Sequence, residues 1–304
     1  MPLNLSGILP PICTPFGPDG DLALDHLRSN IEKYNRIPLR GYVAAGSTGE
    51  SAFLTTDEKL RIWDTVRDTA APGRLVIAGA GAESVRATIA LSNAAAARGC
   101  DAVLILTPHY YKGQMARRES QLGYFRAVAD AVRLPVLIYN FPQMTGIDLA
   151  ADIVQELAQH PNIAGIKESS PDLGKIGSVL DAVPKGFPVL IGASGKYAAS
   201  LAIGATGGVL AVANALPGVA AEIHERHAAG DVDGSRQVQE RIIEAAAVAP
   251  KFGIQGLKYA MDLMSIYGGP PRPPLLPVSA QEKCEIEAVF RAFGCCRMED
   301  AATI

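Results

Sequence analysis

Asn162-Ile163-Ala164-Gly165-Ile166-Lys167-Glu168-Ser169 is a short apolar run that ends abruptly in a cation. Its length and the turn-prone residues on both sides are those of a buried strand. A strand apolar along its whole length belongs in a parallel sheet covered on both faces. Besides residues 163–167, seven runs share this character: 8–13, 42–45, 75–80, 102–106, 136–139, 189–191 and 208–212. Segments with amphipathic helical spacing follow them, at 22–34, 56–69, 84–97, 118–132, 149–158, 173–183, 197–203 and 219–228. Thr56-Asp57-Glu58-Lys59 supplies a capping hydroxyl and early acids to the second of these. Eight alternating units within about 230 residues predict an α/β fold, a (β/α)8 TIM barrel. A doubly wound open sheet is the competing arrangement.

The alternation stops after Gly230. Residues 235–248, 252–264 and 280–293 read as three further helices. Gly268-Gly269-Pro270-Pro271-Arg272-Pro273-Pro274 cannot be regular structure and joins the last two. The expected organisation is a catalytic barrel over residues 1–230 and a helical C-terminal extension over 231–304, with a frayed tail from Gly294.

Composition narrows the function. With 304 residues, 48% of them hydrophobic, the chain can bury a large core. A net charge of −3 gives no electrostatic case for nucleic acid or an anionic membrane. No apolar run approaches the roughly 18 residues of a spanning helix. Met1-Pro2-Leu3-Asn4-Leu5-Ser6 lacks the basic region and apolar core of a signal peptide. Five cysteines, without a C-x-x-C pair, suit a reducing compartment and argue against structural zinc. The cytoplasm is the expected location.

In a barrel the C-terminal strand ends form the active face. Ser47 and Thr48 fall there after the second strand, Tyr110 after the fourth, Tyr139 at the end of the fifth, Lys167 at the end of the sixth and Ser194 after the seventh. Burial lowers an amine's pKa, and a neutral amine attacks a ketone to form a Schiff base. That chemistry also needs a proton shuttle and an anchor for the substrate carboxylate. The Tyr139 phenol suits the shuttle, Ser47 and Tyr110 suit a relay, and the glycine-flanked Ser47-Thr48 suits an anion nest. Singly, each residue has a plainer reading: a lysine snorkelling from a strand end, a buried tyrosine, a capping hydroxyl. Their convergence on strand ends favours the chemistry.

These residues form a pattern. Gly46-Ser47-Thr48-Gly49-Glu50, Thr107-Pro108-x-Tyr110, Tyr139-Asn140-x-Pro142-x-x-Thr145-Gly146 and Gly165-Ile166-Lys167 resemble the dihydrodipicolinate synthase / N-acetylneuraminate lyase family, from about Leu5 to Phe293. The resemblance implies a barrel with a C-terminal helical extension, class I chemistry on pyruvate, usually a homotetramer, and no metal or organic cofactor. Carried over by position, Lys167 is the Schiff-base lysine and Tyr139 the proton-transferring tyrosine. Ser47 takes the relay-hydroxyl position and Thr48 binds the pyruvate carboxylate. Tyr110 matches a tyrosine commonly contributed by a neighbouring subunit, and Val209 a residue whose backbone carbonyl lines the site.

Substrate is read from the departures. Met144 stands where lysine-pathway synthases carry an arginine for the aldehyde substrate's carboxylate, and a thioether makes no charge-assisted bond. Glu168-Ser169-Ser170-Pro171 lacks the threonine usual in sialic-acid lyases. Ser169, His160-Pro161-Asn162-Ile163, residues 47–55 and residues 252–275 bring the chain nearest to 4-hydroxy-2-oxoglutarate aldolase. Ser169 and Ser194 are then the candidates to touch the distal end of a small 2-oxo acid. Aldolases and dehydratases of 2-keto-3-deoxy sugar acids share much of this pattern, and a barrel that binds a ketoacid without turnover is the non-enzymatic alternative.

Two other signals carry little. Gly192-Ala193-Ser194-Gly195-Lys196-Tyr197 fails the phosphate-loop pattern at Leu190 and Tyr197. His224-x-x-His227 has one-face helical spacing but lies among Glu222, Glu225 and Arg226, as a solvated face does.

Overall fold

The computed structural model describes residues 3–294. The tail beyond Gly294, with Cys295 and Cys296, lies outside the described residues. Eight parallel strands form one sheet: β1 (Gly7–Ile8), β2 (Gly41–Ala44), β3 (Leu75–Gly79), β4 (Ala102–Leu106), β5 (Val136–Asn140), β6 (Ile163–Glu168), β7 (Val189–Ile191) and β8 (Gly207–Gly208). Their order is β1-β8-β7-β6-β5-β4-β3-β2, and a Pro11–Val43 bridge joins the two ends. The sheet is therefore a barrel and not a doubly wound open sheet. Around it run α1 (Leu24–Tyr34), α2 (Thr56–Thr69), α3 (Val85–Ala96), α4 (Arg118–Ala131), α5 (Ala151–Leu157), α6 (Leu173–Ala182), α7 (Tyr197–Ala202) and α8 (Pro217–Ala228). No helix among the described residues is long and apolar enough to cross a membrane.

The first and last strands are shorter than their apolar runs. Pro10 and Pro11 have no N–H for a ladder, so β1 stops at Ile8. Closure continues through single bonds: Ile12 N–H donates to Val43 O at 2.8 Å and Val43 N–H to Pro10 O at 3.0 Å. At the other end Ala211–Asn214 turns into a short 3-10 helix instead of extending β8. The α2 cap also lies one residue earlier than expected. Thr55, not Thr56, is the N-cap, in a reciprocal capping box with Glu58.

Strand alternation builds two cores. Leu75 and Ile77 of β3, Leu104 of β4, and Leu137 and Tyr139 of β5 fill the barrel interior. Their neighbours Val76, Ala78, Val103, Ile105, Val136 and Ile138 pack between barrel and helices. In β6 the alternation is interrupted. Val136 pairs with Ile163, but Leu137 pairs with Gly165, so Ala164 is an extra residue. Such a bulge flips every later side chain to the other face. Lys167 thereby pairs with inward-facing Tyr139, and Ile163 and Ile166 both reach the outer core.

The extension holds α9 (Val232–Arg241), α10 (Ile243–Leu263) and α11 (Ala280–Phe290). The expected break near 249–251 falls elsewhere. One break is at Ile242, and α10 runs through Pro250 to a kink at Gly253, whose φ of 73° suits a residue without Cβ. Helix α10 packs against the 211–214 turn at the end of the barrel.

Candidate active site

Lys167 and Tyr139 are register partners on β6 and β5, and both are buried, at 5% and 4% exposure. The Lys167 Nζ lies over the Tyr139 ring, 4.0 Å from its centroid. Among the described residues no carboxylate pairs with Lys167, so its nitrogen faces an aromatic ring and the cavity beyond. The other face of the strand carries the acid. Glu168 accepts from Asn140 Nδ2 at 2.8 Å and from the Ser170 N–H at 2.7 Å. Asn140 also donates to Asp148, which pairs with Lys175 at 2.9 Å. Burial pushes the Glu168 carboxyl above its ordinary range, against these bonds. The network locks the ends of β5 and β6 together behind the lysine and tyrosine.

A cavity of about 750 Å³ opens above Lys167. Ser47 and Thr48 line it from a single 3-10 turn after β2. The first amides of such a turn lack helical partners and remain available to an anion. From the turn after β5 come Phe141, Gln143 and Met144, the last 63% exposed. Ser169, Ser194, Lys196 and Val209 complete the strand-end side. Gly192 leaves room for this arrangement. A Cβ there would lie 1.9 Å from Ser169 Oγ and 3.0 Å from Lys167 Cε.

The opposite wall is apolar and comes from the extension. Ile243, Ala246, Pro250 and Ile254 of α10 line the same cavity. The extension also clamps the 47–50 turn. Glu50, left-handed at φ 58°, pairs through Oε1 with Lys258 Nζ at 2.6 Å, both side chains almost fully buried. The Lys258 ammonium also donates to Pro270 O at 2.9 Å and lies over the Phe16 ring. Glu50 Oε2 accepts the Arg272 N–H at 2.9 Å. The Arg272 guanidinium grips Glu58 with two bonds, at 2.8 and 2.5 Å, and holds that carboxyl down at about 2.

The structure thus gathers Ser47, Thr48, Tyr139, Met144, Lys167, Ser169, Ser194 and Val209 around one cavity. Tyr110 is not among its lining. It is 77% exposed, edge-on to Tyr111, and its N–H donates to Glu83 at 3.0 Å. Sequence reasoning passed over Lys196, Gln143 and the α10 wall. Lys196 stood in plain view as a loop cation after a strand, set aside with the failed phosphate pattern. The wall gave no signal, because a helix's apolar face does not state what it faces. His224 is occupied structurally, bonded to Tyr197 at 2.7 Å and to Ser6 at 3.2 Å.

Comparison with known proteins agrees with this architecture. Residues 4–293 match the model of the dihydrodipicolinate synthetase family. A 4-hydroxy-tetrahydrodipicolinate synthase of Methanothrix thermoacetophila is 32% identical over 286 residues, covering 93% of this chain and 95% of the relative. An uncharacterised DapA-like lyase of Halobacterium salinarum is 34% identical over 295 residues, covering 96% and 95%. Among solved structures, the chloride-inhibited dihydrodipicolinate synthase of Acinetobacter baumannii complexed with pyruvate superposes with a TM-score of 0.92. That protein is 28% identical, with 96% of this chain and 100% of the other covered.

Proposed function

The chain belongs to the dihydrodipicolinate synthetase family and is an enzyme of the class I, pyruvate-dependent aldolase and lyase group; from that premise we propose that it cleaves 4-hydroxy-2-oxoglutarate to pyruvate and glyoxylate. The observation that carries this reading is the buried Lys167 amine over the Tyr139 ring at the foot of a roomy cavity. The free amine of Lys167 attacks C2 of the 2-oxo acid. Tyr139 passes protons through carbinolamine formation and the loss of water, which leaves an iminium. Thr48 and the Ser47 amide and hydroxyl hold the adjacent carboxylate. Tyr139 as phenolate takes the C4 hydroxyl proton, the C3–C4 electron pair moves toward the iminium, and the aldehyde leaves. Protonation of the enamine at C3 and hydrolysis release pyruvate and free Lys167. In the assembled homo-oligomer, a tetramer on this reading, Tyr110 of one protomer completes the Ser47–Tyr139 relay of its neighbour.

Similarity to a 4-hydroxy-tetrahydrodipicolinate synthase favours a second reading, the synthase direction, in which pyruvate condenses with a carboxylated aldehyde. Met144 at the cavity edge weighs against it, since a thioether cannot hold that carboxylate.

Borohydride reduction with pyruvate is expected to add mass irreversibly to the Lys167 peptide. An unmodified Lys167 in folded, pyruvate-exposed protein removes the proposal. Pyruvate release is then scored for 4-hydroxy-2-oxoglutarate and 2-keto-3-deoxygluconate, beside pyruvate consumption with the synthase aldehyde. The first is expected to turn over fastest; faster pyruvate release from 2-keto-3-deoxygluconate replaces the substrate assignment, and faster turnover in the synthase direction replaces the aldolase assignment.

A further inference from the structure

Two lysines and no acid line the cavity. Lys167 is accounted for by the carbonyl carbon, and the carboxylate next to that carbon is accounted for by Ser47 and Thr48. Lys196 has no part in either task. It is exposed, on the Ser194–Lys196 turn after β7, and among the described residues it pairs with no carboxylate. Its backbone is nonetheless firmly held. The Lys196 N–H donates to Ala193 O at 2.9 Å, Ser200 Oγ donates to Lys196 O at 2.8 Å, and Gln239 Nε2 donates to Ser194 O at 3.1 Å. A fixed backbone therefore carries a free ammonium on a long flexible stem beside the cavity.

The remaining surroundings sharpen what that ammonium is suited to. Phe141, Met144, Ile243, Pro250 and Ile254 on the cavity wall offer an anion no hydrogen bond, so Lys196 is the cation left to meet one there. We propose that Lys196 is the specificity-determining residue that binds the second carboxylate of a dicarboxylic 2-oxo acid, with Ser194 and Gln143 as neutral donors beside it. The enzyme then selects dianions, and a sugar acid with an uncharged hydroxylated tail leaves Lys196 unpaired. This inference rests on the Schiff-base reading of Lys167.

The test avoids aldol chemistry by comparing two 2-oxo acids of equal length, 2-oxoglutarate and 2-oxopentanoate. Each is captured on the enzyme by borohydride, and the half-saturating concentration is read by mass spectrometry. In the wild type, 2-oxoglutarate is expected to saturate at roughly tenfold lower concentration, as one charge-assisted contact implies. Lys196→Met is expected to bring the ratio of the two concentrations close to one, and Lys196→Arg to keep most of the preference. Each variant serves as its own control, since only the ratio is compared. A wild-type ratio near one, or an unchanged ratio in Lys196→Met, overturns the role of Lys196 while the Schiff-base chemistry stands. Failure of the folded wild type to capture pyruvate or either acid removes the Schiff-base reading, and this inference with it.

Discussion

Gly192 decides whether Lys167 and Ser169 fit side by side. The clash distances at its missing Cβ mean that even alanine must push Ser169 aside and crowd the lysine stem. A displacement of about 1 Å in a reacting group costs on the order of a hundredfold. Gly192→Ala is therefore expected to slow borohydride trapping of pyruvate by about that factor, with an intact far-UV circular dichroism spectrum. Trapping at the wild-type rate would show that the contact is idle. Lys167 itself was legible in the sequence because a cation ending an apolar strand is an anomaly. Gly192 was legible only as a turn, since its demand arises from Ser169, a residue just past the end of β6.

At the level of elements, the β6 bulge and helix α10 do most of the positioning. A run apolar along its whole length shows no period of two, so the bulge, and the inward turn it gives Lys167, appear only in the pairing with β5. Helix α10 supplies the cavity wall with one stretch and Lys258 with the next. Removing one partner of a buried ion pair strands the other charge and costs about 3–5 kcal/mol. Lys258→Met is expected to lose stability of that order in denaturant melts, and adding Glu50→Gln to recover part of it. A single variant as stable as wild type would mean that Glu50 is satisfied elsewhere. The motif residues between 252 and 275, far from the chemistry in sequence, thus act as the brace of the Ser47–Thr48 turn. The proline pair that stops β1 and the 3-10 turn at Ala211–Asn214 that follows β8 explain why the first and last strands read longer than they are. Apolar character continues past the point where backbone pairing stops.

Across the whole molecule, the closed barrel brings residues 47 to 209 to one mouth, yet leaves Tyr110 outside it. An exposed tyrosine pair, Tyr110 with Tyr111, suits a surface completed by another protomer. Tyr110→Phe is expected to lower turnover by about a hundredfold, the scale of a lost proton-transfer group, with thermal stability and sedimentation unchanged. Wild-type turnover by this variant would take Tyr110 out of the relay.

By itself the sequence determined the fold class and singled out Lys167 and Tyr139 as candidates for the chemistry. Eight apolar strands alternating with helices admit few closed packings, and a lysine and a tyrosine at adjacent strand ends are informative wherever the barrel closes. The tertiary structure alone decided which way Lys167 faces, what makes room for it, and that the apolar face of α10 and the Lys196 turn line the same cavity. Those outcomes depend on strand register and on contacts between segments more than a hundred residues apart in some cases, such as Glu50 and Lys258. Local periodicity reports which residues are buried, but it carries no record of their partners.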